Sequence, residues 1–155
     1  MNKKEIIQKL ADTNLLTDAQ LKGLEKQFNK GIASETLLIH NSGLIKEEQD
    51  AGFDFGLNGL RVEFKYLGLN SKPSLSEMKK QADESQREFA ERIVNKHYLQ
   101  ADCFMSSIKD ELDIQLSDCF IITKEAMLEI LSRHNTKEGN KIRLLKGIVK
   151  QVLGL

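Results

Sequence analysis

The spacing of hydrophobic residues predicts helices in the first part of the chain and strands further on. Helical spacing indicates a first helix between Asn2 and Asn14, a second that Thr17 opens, and a third over residues 32–42. Over residues 54–65 apolar and polar residues alternate instead, as they do in strands that are exposed on one face. The chain is therefore expected to begin with helices that lead into a β-hairpin.

The middle of the chain predicts a long helix between strands. Ser74-Leu75-Ser76-Glu77 fits a capping box and predicts a helix from there to about Lys96. Residues 102–108 and 117–123 have the length and apolar content of strands. A helix that joins two strands normally makes a right-handed parallel crossover, so strand 60–67 and strand 102–108 are expected to share one sheet. The predicted fold class is α/β, with a mixed central sheet, a hairpin, a crossover helix and flanking helices.

The end of the chain predicts two more helices. Thr123 can cap one that runs through His134, and the final helix starts at about Thr136 or Asn140. We divide a single domain into a helical extension over residues 1–30, an α/β core over 31–135 and a basic helix over 136–155. The basic residues of that last segment outnumber its single acid, Glu138, and are Lys137, Lys141, Arg143, Lys146 and Lys150.

The dipeptide Asn58-Gly59 is the strongest local signal in the chain. A two-residue hairpin turn needs residues that tolerate positive φ, and Asn-Gly meets this need. With these residues as the loop, Asp54 lies opposite Glu63 with Cβ atoms roughly 5 Å apart, and Lys65 shares their face. Facing carboxylates repel unless a proton or cation offsets them, so the pair predicts a site for a hard ion such as Mg²⁺. The alternative is a solvated hairpin face on which Lys65 neutralises Glu63.

Asp54 followed by Glu63-Phe64-Lys65 on the next strand resembles the signature of the PD-(D/E)XK nucleases. The resemblance implies a restriction-endonuclease-like fold in which Asp54 and Glu63 bind Mg²⁺, or Mn²⁺ as a substitute. It makes Lys65 the catalytic lysine of phosphodiester hydrolysis. Many family members carry a glutamate on the helix before the hairpin, and Glu35 occupies that place. Phe53 stands where the family often has proline.

Candidate DNA contacts lie outside the hairpin. Near the start of the predicted long helix the candidates are Lys79, Lys80 and Gln81, and on the final helix they are Lys141 and Arg143. Basic side chains along a helix can follow DNA phosphates. The alternative for both groups is the solvated face of an amphipathic helix.

Composition and charge restrict these interpretations only mildly. The chain has 155 residues, close to the size of one domain, with 40% hydrophobic and 30% charged residues. Its 23 basic and 23 acidic side chains give no net charge, so DNA binding would depend on a local patch. Because the N-terminus lacks the apolar core of a signal peptide, and no apolar run approaches roughly 18 residues, we expect a cytoplasmic protein without a membrane span.

The sequence as a whole predicts a magnesium-dependent endonuclease that cuts DNA, of restriction or homing type. Cleavage of both strands at one place would favour a homodimer. The alternative is a non-enzymatic interaction or nucleotide-binding domain that uses the N-terminal helices. Residues 15–21 and 43–49 weakly resemble the repeated helical unit that precedes secretion and pilus ATPases, some of which bind a cyclic dinucleotide.

Overall fold

The first three helices follow their predicted capping residues closely. In the computed structural model, which describes residues 1–48, 51–133 and 141–155, they are α1 (Lys3–Asp12), α2 (Asp18–Lys26) and α3 (Lys30–Ser42). Asn2 caps α1 and Thr17 caps α2 with a capping box, as their side chains predict. Gly43, in the left-handed region with φ 64°, ends α3. The helical start of the chain is therefore confirmed.

The strands form a mixed four-stranded sheet and a separate two-stranded one. The larger sheet has the order β1 (Phe55–Leu57), β2 (Leu60–Tyr66), β4 (Cys103–Ser107) and β5 (Cys119–Thr123). Strand β2 is antiparallel to β1 and parallel to β4, and β4 is antiparallel to β5. The predicted parallel pairing of residues 60–67 with 102–108 is confirmed. The connection includes α4 (Gln86–His97).

Alternate residues of the sheet face two different cores. On one side Phe104 and Ile122 pack with residues of α4 and of α5 (Lys124–Ser132). On the other side Val62 and Met105 pack with the residues of α3 that face the sheet. A third cluster joins α1, α2 and the opposite face of α3 through Ile6, Leu10, Leu24, Ala33 and Leu37. Helix α3 is thus held between the sheet and the first two helices, which fixes the position of every residue on it.

The predicted long helix is wrong in its first half. Residues Ser74–Ser76 form strand β3 rather than the start of a helix, and α4 begins at Gln86. A second capping box, Ser85 with Glu88, starts the real helix. Leu75 is only 3% exposed and belongs to the core beneath α4. Burial of this side chain and pairing with a distant strand outweigh the local helix signal.

The C-terminal segment also differs from the prediction. Strand β3 pairs with β6 (Ile142–Arg143), and the last helix, α6 (Lys146–Leu153), starts after it. The predicted helix starts at Thr136 or Asn140 lie outside the described residues, as does His134, while α5 ends at Ser132. Lys141 and Arg143 are therefore not helical. Arg143 lies on β6 and Lys141 immediately before it, which changes the residues that they can contact.

No helix within the described ranges is both long and apolar enough to cross a membrane. Cys103 and Cys119 are free thiols.

Candidate metal site at the hairpin

The hairpin has the predicted register. Phe55 pairs with Val62, Gly56 with Arg61 and Leu57 with Leu60. The two turn residues both have positive φ, 50° for Asn58 and 82° for Gly59. A type I′ turn requires this conformation at both positions, and asparagine and glycine adopt it at little cost. The local sequence is thus sufficient to set the pairing that positions the acidic residues.

Asp54 lies one residue before β1 and is fixed by both its backbone and its side chain. Its backbone N–H donates to the carbonyl of Val62 at 2.8 Å. Its Oδ2 accepts from the backbone N–H of Phe64 at 2.7 Å. The carboxylate therefore accepts a hydrogen bond that a backbone carbonyl of a paired strand would normally accept. It is held against β2 beside Glu63. The sequence prediction that Asp54 and Glu63 come together is met.

Glu35 joins this pair from α3. Because α3 packs on β2, the Glu35 carboxyl lies close enough to Asp54 and Glu63 to be affected by their charges. Burial first, and then the negative charges of Asp54 and Glu63, raise the pKa of Glu35 to about 9, while Lys46 opposes the shift. At neutral pH Glu35 is therefore mostly protonated. The site contains three carboxyl groups, Glu35, Asp54 and Glu63.

Glu63 is the second acid with a raised pKa. Burial and the charge of Asp54 raise its pKa to about 7, although Lys65 lowers it. The Glu63 side chain is 16% exposed and that of Lys65 18%, and the Lys65 Nζ is 3.5 Å from Glu63 Oε1. Such shielding from water is not what a solvated charge ladder would give. The side chains are thus more buried than an exposed hairpin face implies, although Lys65 does pair with Glu63 as that alternative expects.

Lys65 is held from its other side by Tyr98, at the end of α4. The ammonium lies 5.5 Å from the centroid of the Tyr98 ring, and Nζ donates to the carbonyl of Ser74 at 3.5 Å. Burial alone lowers the pKa of Lys65, but Tyr98, Glu63 and Asp54 outweigh it, so the pKa is raised overall. Lys65 is therefore a cation at neutral pH.

The sequence interpretation missed Lys46 and Tyr98. Lys46 forms an isolated antiparallel bridge with Phe55, and Glu47 N–H donates to the Asp54 carbonyl at 3.0 Å. These contacts add residues 46–47 along the outer side of β1 and bring a positive charge close to Glu35. Neither Lys46 nor Tyr98 has a local sequence signal, because each reaches the site through pairing or packing with distant residues.

A cleft of about 1210 Å³ opens from the three carboxyl groups towards α2. One wall comes from the helices and the loops that join them, and the other from the hairpin and the segment before it. Residues that line the cleft include Thr17, Gln20, Phe28, Ile32, Glu35, Lys46, Phe53, Asp54, Glu63 and His97. The carboxyl groups are thus accessible to a ligand larger than a metal ion.

Pairing of β3 with β6 brings together the two segments that carry the candidate DNA contacts. Lys79, Lys80 and Gln81 lie in the loop between β3 and α4, while Lys141 and Arg143 lie beside and on β6. All five are exposed. Pairing of β3 with β6 joins the two groups: Lys141 is 3.8 Å from Glu77, and Arg143 donates to the Lys72 carbonyl at 2.9 Å. We call this set, with the exposed Lys72, the basic surface.

The donor set of the site suits Mg²⁺. Three carboxyl groups supply the hard oxygen ligands that this ion prefers, and the raised pKa values of two of them mark a place where positive charge would be stabilised. Among the described residues no group of three or more His, Cys, Asp or Glu side chains is already arranged so that it could hold a metal ion. A bound ion would offset the mutual repulsion of these carboxyl groups.

Comparisons of the chain with protein-family models, with curated proteins and with solved structures gave no match. A mixed α/β fold with a mixed four-stranded sheet is what the structure shows. The resemblance to the PD-(D/E)XK nucleases consequently rests on the hairpin residues and their surroundings alone.

Proposed function

We propose that this protein is a metal-dependent endonuclease that hydrolyses phosphodiester bonds in DNA. The observation that supports this proposal best is the convergence of Glu35, Asp54 and Glu63 with the ammonium of Lys65 at one end of a large cleft. Three carboxyl groups from separate segments are costly to bring together without a cation. A restriction-endonuclease-like fold and a restriction or homing role belong to the same proposal.

Asp54 and Glu63 are the proposed ligands of Mg²⁺, with Mn²⁺ as a possible substitute. When bound, Mg²⁺ polarises the scissile phosphate and lowers the pKa of a coordinated water. Asp54 is suited to this role because the N–H of Phe64 holds its Oδ2 in place. Glu35 supplies a further oxygen once its proton has left.

Lys65 stabilises negative charge on the phosphate and orients the attacking water. Its raised pKa means that it acts as a cation and a hydrogen-bond donor rather than as a general base. The contacts with Glu63, Tyr98 and Ser74 restrict its long side chain, so less conformational entropy is lost when it meets a phosphate. The positive charge is therefore presented at a fixed position.

The basic surface provides a path for the DNA backbone. It adjoins the site because the Ser74 carbonyl, on β3, accepts from Lys65. Release of counterions by its lysines and arginine would supply affinity for DNA without base recognition. A local basic surface could therefore bind DNA although the whole chain has no net charge. One such site cuts one strand, so cleavage of both strands at a defined place would use a homodimer.

Plasmid nicking with Mg²⁺ or Mn²⁺ tests the proposal. We expect the wild-type protein to nick supercoiled DNA, and Glu63→Gln and Lys65→Ala to reduce the rate at least ~100-fold, as expected for loss of a metal ligand or of charge stabilisation. Glu129→Gln is the matched control, since this exposed glutamate of α5 pairs only with Arg133 among the described residues. Calorimetric titration with Mn²⁺ should show binding that Asp54→Asn abolishes.

Two results would reject the proposal. Absence of cleavage by the wild type on linear, supercoiled and branched DNA with either metal excludes the nuclease. Equal cleavage by Glu63→Gln and Lys65→Ala would assign the activity to a contaminant or to another site. Binding of a nucleotide without hydrolysis would favour the non-enzymatic alternative, for which the contribution of α2 and α3 to the cleft wall is the supporting observation.

A further inference from the structure

Two large apolar side chains line the cleft without belonging to the protein core. Ile32 is 43% exposed and Phe53 is half-buried. Within the described ranges neither is a member of the three core clusters. Exposed apolar side chains are unremarkable singly, but a pair that faces the same cavity is typical of a binding site.

Each of these side chains is next to a carboxyl group of the candidate metal site. Ile32 precedes Glu35 by one turn of α3, so the two share a face of that helix. Phe53 immediately precedes Asp54. The apolar contacts are therefore placed within one nucleotide's reach of the position proposed for the scissile phosphate.

The charge of the cleft argues against a bound sugar-phosphate backbone along its length. Its acidic lining residues are Glu35, Glu47, Glu48, Asp54 and Glu63. Among the described lining residues the only basic side chains are Lys46 and His97. Grooves that follow phosphates are lined by lysine and arginine, which here lie on the basic surface instead. The part of the ligand that lies in the cleft beyond the candidate metal site should therefore be uncharged.

The polar side chains of the cleft are suited to hydrogen bonds with a neutral ring. They include the amides of Asn14 and Gln27 on either side of α2, and the Nε2 of Gln20, whose Oε1 already accepts from the Thr17 N–H. Side-chain amides both donate and accept, as the edges of nucleobases do. The volume of about 1210 Å³ exceeds the ~300–1000 Å³ of pockets for single small ligands, so at least one nucleotide fits.

We propose that the cleft binds an unpaired nucleobase, and hence that the substrate is single-stranded or locally unpaired nucleic acid rather than regular duplex. Phe53 and Ile32 contact the face of the base, while its phosphate lies at the carboxyl groups and Lys65. This inference deepens the proposed nuclease function and rests on it. Stacking on an aromatic side chain is tolerant of sequence, so base preference would be modest.

Fluorescence anisotropy with labelled oligonucleotides tests the inference. The probes are a DNA strand of about 12 nucleotides, the RNA of the same sequence and the blunt DNA duplex, all with the wild-type protein and with Ca²⁺ in place of Mg²⁺. We expect at least one single strand to bind roughly 10-fold more tightly than the duplex. Phe53→Ala should weaken single-strand binding roughly 10-fold or more and leave duplex binding unchanged.

The matched control is Leu99→Ala, which removes an apolar side chain that is 60% exposed and does not line the cleft. It should change neither affinity. Thermal unfolding checks that Phe53→Ala is folded, and Ile32→Ala repeats the test if it is not. Equal affinity for single strand and duplex, or full affinity in both cleft variants, overturns the inference.

Cleavage assays separate this inference from the proposed function. If the wild type binds single strands through Phe53 but cuts nothing with Mg²⁺ or Mn²⁺, the base site stands and the nuclease fails. If it cuts duplex as fast as single strands, and Phe53→Ala is as active as the wild type, the nuclease stands and the base site fails. The DNA and RNA probes show which sugar the site accepts.

Discussion

The ammonium of Lys65 and the ring of Tyr98 are held side by side by two consecutive carbonyls of β3. Lys65 Nζ donates to the Ser74 carbonyl at 3.5 Å, and the Tyr98 hydroxyl donates to the Leu75 carbonyl at 2.6 Å. Tyr98 is only 6% exposed and packs edge-on against Phe104, with ring centroids 5.0 Å apart. The tyrosine is therefore a rigid support, and we infer that it positions the lysine.

Replacing Tyr98 by leucine should lower the single-turnover rate of DNA cleavage about 10-fold, because a partly buried cation–π contact contributes about 0.5–2 kcal/mol. Tyr98→Phe keeps the ring and should retain activity. It loses the hydrogen bond to Leu75, which should cost about 1 kcal/mol of stability in urea unfolding. If Tyr98→Leu is fully active, Tyr98 does not position Lys65. If Tyr98→Leu and Tyr98→Phe lose the same cleavage rate, the hydroxyl and not the ring positions Lys65.

Without metal, the protein should become less stable as pH rises from about 4.5 to about 9. Burial, with the charge of Asp54, raises the pKa of Glu35 from 4.5 to about 9 in the folded state. Over this range the folded protein keeps a proton that the unfolded chain has lost, so rising pH favours unfolding. Glu63 contributes with the same sign up to about pH 7. Thermal unfolding in a chelator at roughly pH 5, 7 and 9 measures the decline.

Glu35→Gln and Glu84→Gln test the origin of that decline. Glutamine at position 35 keeps a neutral hydrogen-bonding group, so the loss of stability with pH should shrink to the part due to Glu63. The pKa of Glu84 is shifted in the opposite direction, because hydrogen bonds from Arg92 lower it to about 2. Its contribution is lost only in acid, so Glu84→Gln should retain the full decline. An undiminished decline in Glu35→Gln would show that another group titrates.

The sequence predicts local features of this fold well and long-range pairing poorly. Asn58-Gly59 determines its own turn, and the caps Asn2, Thr17 and Thr123 need only the residues that follow them. The Ser-x-x-Glu pattern at Ser74 is as good as the one at Ser85, yet only the second caps a helix. Choosing between them requires knowing that β6 pairs with β3, and nothing near Ser74 carries that information.

Some residues of the candidate site can likewise be predicted from the local sequence, and others cannot. Asp54, Glu63 and Lys65 are predicted because strand register alone places them on one face. Glu35 follows only from the family resemblance, since its approach depends on how α3 packs on β2. The partners that restrain Lys65 come from β3 and α4 and could not be predicted without the fold.

Asp113 connects α1 and α3 to the loop after β4. Its carboxylate accepts from Lys9 on α1 and from the Asn41 amide on α3, the latter at 2.7 Å. Asp113→Ala should therefore destabilise the protein by about 1–3 kcal/mol in urea unfolding. It should also weaken Mn²⁺ binding, because α3 carries Glu35.

The control for Asp113 is Asp12→Ala, which removes only an exposed hydrogen bond with Gln8 on α1 and should cost about 0.5 kcal/mol or less. Hydrogen exchange should show faster opening of α1 in Asp113→Ala alone. Equal stability of the two variants would mean that the apolar cluster of Ile6, Leu10 and Leu37 holds these helices without help from Asp113.

Gly68 and Gly23 should respond to alanine in opposite ways. A Cβ on Gly68 would overlap the Lys109 carbonyl oxygen and the Tyr66 hydroxyl, which are themselves hydrogen-bonded at 2.7 Å. Because one of these atoms is backbone, relief requires the loop to move, and Gly68→Ala should cost at least about 3 kcal/mol in urea unfolding. Gly23, inside α2, has no atom within 4 Å of an added Cβ, so Gly23→Ala should stabilise the protein by about 0.5–1 kcal/mol. A Gly68→Ala variant as stable as the wild type would contradict the close packing of β2's end against residues 109–111.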